Sequence, residues 1–69
     1  MVGYCKVWKD DKGYGFIEGQ DGNNYYVYYK SVLVTGKRRL KEGDEVEFDT
    51  APPIIPGKRN QAVNVNILN

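Results

Sequence analysis

The chain has no histidine, a single cysteine and a single tryptophan. Without histidine it lacks the side chain that most often serves as a general acid or base, and nothing in it has an ordinary pKa near neutrality. One cysteine, Cys5, permits no internal disulfide and no cysteine-based zinc site, and it has no partner for a catalytic dyad. There is no glycine-rich phosphate loop and no cluster of metal-ligating residues. These absences point away from an enzyme and away from any metal or cofactor. No apolar run approaches the ~20 residues of a membrane helix, so no membrane association is expected. The N-terminus shows no basic segment leading into an apolar one, so no secretory signal is expected either. So small a chain without disulfides fits a reducing compartment, which favours the cytoplasm. The net charge is only +1, so bulk electrostatics does not single out nucleic acid as a partner. Any such case rests on where the charges and rings lie.

What remains is 69 residues, room for a single domain over 1–69. A domain of this size buries only about 60% of its unfolded surface, so the core is thin and function belongs on an outer face. Glycine and proline punctuate short runs of Val, Ile, Tyr and Phe, the pattern of an all-β chain. Strands are expected at 2–8, 14–18, 25–29, 45–49 and 61–68, with a long connection over 30–44. The acids Glu42, Asp44, Glu45, Glu47 and Asp49 read as the solvated side of the fourth strand. All three prolines fall in 51–58, which is therefore a loop. Five short strands and no helix to cover sheet edges call for a small, closed, five-stranded antiparallel barrel, although an SH3-like barrel would give much the same strand count. Cys5 is expected to be a small buried hydrophobe.

Alternation sorts the aromatic strands onto two faces. In the second strand Ile17 is the natural core residue, which sends Tyr14 and Phe16 outward. In the third, Val27 is the core residue, so Tyr26 and Tyr28 point outward. If these strands pair across the 19–24 turn, the four rings form one surface. Aromatic residues are usually buried, but burying these would expose Ile17 and Val27. Flat rings on a sheet face suit unstacked bases, each worth roughly 1–3 kcal/mol. Lys6 and Lys12 flank the rings and suit phosphates. Lys37, Arg38 and Arg39 form a further basic cluster. A barrel whose aromatic face grips a peptide is the alternative, and the flanking cations favour nucleic acid over it.

Four segments carry a resemblance. Lys12-Gly13-Tyr14-Gly15-Phe16-Ile17 resembles the K-G-[FY]-G-F-I motif of cold-shock domains, and Tyr25-Tyr26-Val27-Tyr28-Tyr29 resembles their V-F-V-H-F motif. Leu40-Lys41-Glu42-Gly43 with Val46-Glu47-Phe48 is similar to their L-x-x-G-x-x-V-x-F segment, and Gln61-Ala62-Val63-Asn64-Val65 to their Q-A-x-N-V ending. The resemblance implies an OB-type barrel that binds single-stranded RNA and DNA, commonly as an RNA chaperone. It implies Tyr14, Phe16, Tyr26, Tyr28 and Tyr29 as the stacking platform. Trp8 falls on the family's stacking tryptophan if the first turn is one residue short, the reading preferred here. An ungapped match puts Trp8 inside and Val7 on the platform. Lys37 stands where the family often has an aromatic, exchanging a stack for a phosphate contact, with Arg38 beside it. Tyr28 replaces the family's histidine. Tyr25 replaces a core valine and needs room and a hydroxyl partner. The chain is expected to act as a monomer. Ile54 and Ile55 in the proline-rich loop are expected to fold back over the barrel end, with a contact for a protein partner as the alternative.

Overall fold

The computed structural model describes residues 1–33 and 39–68. Five strands, β1 (Val2–Lys9), β2 (Tyr14–Gly19), β3 (Asn24–Tyr28), β4 (Glu45–Ala51) and β5 (Gln61–Ile67), close into a barrel in the order β1-β2-β3-β5-β4. A 3-10 turn, Tyr29–Ser31, follows β3 directly, so the third strand ends one residue earlier than its sequence suggests. The all-β barrel expected from the sequence is present. One junction departs from the antiparallel expectation, because β3 and β5 run parallel through Tyr26↔Gln61 and Val27↔Ala62. Strands that alternate in direction cannot do so all the way round a ring of five, so one junction has to be parallel.

The core is built from the inward residues of every strand. Cys5, Ile17, Val27, Val46, Phe48 and Val65 are buried together, with Val32 and Leu40 supplied by the connection. Each large apolar side chain buried here contributes roughly 1.5–3 kcal/mol. Tyr25 finds its room against Gly19, where a Cβ would come within 3.0 Å of the Tyr25 ring. Its ring packs on Phe48 at 5.3 Å between centroids. Its hydroxyl donates to Asp21 Oδ2 in the β2–β3 turn. That bond holds the Asp21 carboxyl below its usual pKa and raises that of the Tyr25 hydroxyl. The larger inward ring is thus accommodated by a glycine on one side and a turn carboxylate on the other.

Two strands break simple alternation. In β1, Cys5 pairs with Ile17 but Val7 pairs with Phe16, leaving Lys6 as an extra residue in a bulge. In β5, Asp49↔Val63 and Glu47↔Asn66 set three steps of β5 against two of β4, and Asn64 takes a positive φ of 52° to absorb the difference. Asparagine tolerates this left-handed conformation better than most residues. As a result Ala62 and Val65 both face inward. One acid also departs from the solvated strand face: Asp44 is buried, and its Oδ2 accepts the Lys41 backbone N–H at 3.0 Å to close the turn before β4.

Cys5 is buried as expected. Burial, then the nearby Asp44 and Glu42 charges, push its thiol up from 9.0 to about 11. Native protein at pH 8 should therefore resist iodoacetamide and label only once unfolded in guanidinium. The neutral thiol's contribution to stability is intact below pH 9 and declines as pH rises through 11. Rapid labelling of the native barrel at pH 8 would contradict this placement.

Candidate nucleic-acid interface

The β2–β3 hairpin carries the aromatic face. Tyr14 pairs with Tyr28 and Phe16 with Tyr26, while Gly15↔Val27 and Ile17↔Tyr25 occupy the inward rungs between them. The four rings that alternation sends outward therefore do share one side of the barrel. Tyr14 stacks on Tyr26 diagonally, with centroids 5.6 Å apart and planes at 25°. Phe16 meets Tyr14 and Tyr26 edge-on at 6.3 and 6.0 Å. Tyr28 and Tyr29 lie 4.7 Å apart at the end of the hairpin, and both are exposed. Desolvation, then the Tyr28 and Tyr14 hydroxyls, raise the pKa of Tyr26, which keeps its hydroxyl protonated as a donor.

The β1–β2 turn positions Tyr29. Lys9 O accepts the N–H groups of Lys12 and Gly13, and Gly13 has a φ of 75°. Gly13 O in turn accepts the Tyr29 N–H at 2.8 Å, and the Tyr29 ring lies where a Cβ on Gly13 would come within 2.9 Å. A glycine is needed there on both counts, conformation and space. Lys12 is exposed in this turn, one residue before Gly13 and two before Tyr14. Lys6 is exposed in the β1 bulge and pairs with Glu18 at 3.5 Å, which offsets part of its charge.

Trp8 requires a correction. The bulge at Lys6 reverses the parity of the rest of β1, so Val7 sits opposite Phe16 on the aromatic side and Trp8 sits opposite Gly15 on the inward side. The ungapped reading is the one the register follows. Trp8 packs against the core at the barrel end, half-buried, with its ring over the Gly15 backbone. Its Nε1–H donates to Asp10 Oδ1 at 3.1 Å, and Asp10 Oδ2 pairs with Arg39 at 3.2 Å. Arg39, read as part of a basic cluster, is thus tied to the β1–β2 turn. Lys37 and Arg38 lie outside the described residues.

The β4–β5 loop adds residues that the sequence reading did not assign to the site. Ile54 and Ile55 are 70% and 59% exposed. They do not fold down over the barrel end. Together with Lys58 and Arg59 they border a cleft of about 350 Å³ whose other wall is Phe16 and Tyr26. The Arg59 guanidinium lies 5.7 Å from the centroid of Phe16, in cation–π range. The parallel β3–β5 junction brings this loop alongside the rings, a closure that the local sequence does not announce. The adjacent cations Lys58-Arg59, directly before Gln61-Ala62, were the available signal.

Known proteins agree with this geometry. The 'Cold-shock' DNA-binding domain family matches residues 1–68. The cold shock-like protein CspC of Bacillus cereus is 41% identical over 66 residues, covering 94% of this chain and 95% of that protein. The cold shock protein CspB of Bacillus caldolyticus is 39% identical over 64 residues, covering 91% of each. Among solved structures, Drosophila Unr CSD456 superposes with a TM-score of 0.69 at 30% identity, over 99% of this chain and 26% of that one. With a family match over residues 1–68 and a relative 41% identical over 94% of its length, the chain belongs to the 'cold-shock' DNA-binding domain family.

Proposed function

We propose that this domain binds single-stranded RNA or DNA by stacking successive bases on Tyr14, Phe16, Tyr26, Tyr28 and Tyr29, with phosphates held by Lys12 and Lys6 and by Lys37 and Arg38. The observation that carries this reading is the outward aromatic face of the β2–β3 hairpin, in which Tyr14↔Tyr28 and Phe16↔Tyr26 pair on the side away from Ile17 and Val27. Exposed rings are a liability to a small monomer unless something covers them, and every base has a π-face to offer. On this reading the domain works as a monomer in the cytoplasm, keeping transcripts unpaired in the manner of an RNA chaperone.

The test is a titration of labelled oligo-T and oligo-U of about six nucleotides, alongside a duplex of matched length. Single strands should bind and the duplex should bind far more weakly, because pairing hides the base faces. Equal affinity for the duplex would refute stacking as the mode of binding.

A further inference from the structure

The β4–β5 loop stands as a wall against the aromatic face. Its two ends are fixed to the barrel: Gln61 Nε2–H donates to Pro52 O at 2.9 Å, and Tyr26 N–H donates to Asn60 O at 2.9 Å. Its tip is a tight turn, in which Lys58 N–H donates to Ile55 O at 3.1 Å across Pro56 and Gly57, the latter with a φ of 86°. Proline second and left-handed glycine third is the residue order of a type II turn. Pro52 and Pro53 stiffen the approach to it. The wall is thus formed before any ligand arrives, and little ordering cost falls on binding.

What the wall presents is apolar at its tip and basic at its edge. Ile54 and Ile55 are more exposed than any other large apolar side chain among the described residues. Lys58 and Arg59 stand beside them, and among the described residues no carboxylate lines the cleft. An apolar slot faced by rings and edged by two cations suits a planar uncharged group attached to an anionic chain. The charges favour a nucleobase with its phosphates over an apolar stretch of a protein.

We propose that the cleft is a walled base subsite. One unstacked base of the single strand enters between the Phe16–Tyr26 rings and Ile54–Ile55, while Lys58 and Arg59 hold its flanking phosphates. Arg59, already against Phe16, gives the entering base a guanidinium plane as well as a ring to stack on. This rests on the single-strand reading above and adds to it. An open platform treats successive bases alike, whereas a slot makes one position in the strand count more than the rest.

The experiment walks a single abasic site through a six-nucleotide oligo-T and measures Kd at each position. For the wild-type domain, one position should lose about tenfold or more in affinity and the others distinctly less. The double variant Ile54→Ser/Ile55→Ser should bind intact oligo-T about tenfold more weakly, lose the position-dependence, and melt at the wild-type temperature, since both side chains are exposed. An unchanged Kd and an unchanged profile in that variant would overturn the subsite. So would binding of an apolar peptide that depends on the two isoleucines while the abasic profile does not, which would assign them to a protein contact. Failure of the single-strand reading looks different: the wild-type domain would not bind oligo-T at all, or would bind it without loss in Phe16→Ala.

Discussion

Trp8→Ala should destabilise the barrel by about 3 kcal/mol, the lower end of the range for truncating a buried tryptophan. Trp8 earns the lower end because it is half-buried. The loss has three parts. The ring leaves the core edge it packs against. A void opens over the Gly15 backbone, which approaches the indole too closely for any Cβ. Asp10 loses the indole N–H, and with it part of the link that ties the β1–β2 turn to Arg39. A domain of this length holds roughly 3–10 kcal/mol in all, so the loss removes between about a third and all of it. The measurement is urea unfolding of wild type and variant, with Trp8 emission recorded before and after oligo-T is added to the wild type. A side chain on the inward face should respond little to a strand lying on the other face. A stable variant and strong quenching by oligo-T would instead return Trp8 to the aromatic surface.

Phe16→Ala and Tyr28→Ala should each weaken oligo-T binding by roughly 1–3 kcal/mol while leaving its salt dependence unchanged. Stacking moves no counterions, so the slope of log K against log salt has no reason to change. Lys12→Ala should cost less affinity but flatten that slope by about 0.7, the value for one phosphate on a single strand. Lys6→Ala should do less still, because Glu18 already sits 3.5 Å from its ammonium. Phe16 also supports its neighbours through edge-on contacts with Tyr14 and Tyr26. Binding of that variant is therefore to be measured well below its melting temperature. If ring and lysine variants altered the slope alike, the division between stacking and charge would be wrong.

The aromatic surface was legible in the sequence because its inward partners are unambiguous. Gly15, Ile17 and Val27 leave no choice of face for Tyr14, Phe16, Tyr26 and Tyr28, and no bulge interrupts β2 or β3. Trp8 was misplaced because the preferred match shortened the first turn by one residue, whereas the extra residue lies at Lys6 in the strand itself and leaves no mark in composition. The fifth strand also changes phase: Ala62 and Val65 share the interior only because Asn64 turns left-handed between them. Such phase depends on pairing with a distant strand. The proline-rich loop was recognised as a loop, but its place beside Phe16 and Tyr26 depends on how the ring closes, which no local pattern records.

The order of the strands also decides how the domain meets a polyanion. β4 is bonded to β1 and β5 and lies across the barrel from the aromatic hairpin. Glu45, Glu47 and Asp49 are exposed along it. The near-zero net charge is unevenly laid out, with Glu45, Glu47 and Asp49 along β4 and with Lys58 and Arg59 at the cleft beside Phe16 and Tyr26. On the single-strand reading proposed above, a strand approaching the acidic flank would be repelled and one approaching the rings drawn in, so diffusion would deliver it in a productive orientation. Because the overall charge is close to neutral, this selection acts on the direction of approach rather than on the frequency of collision.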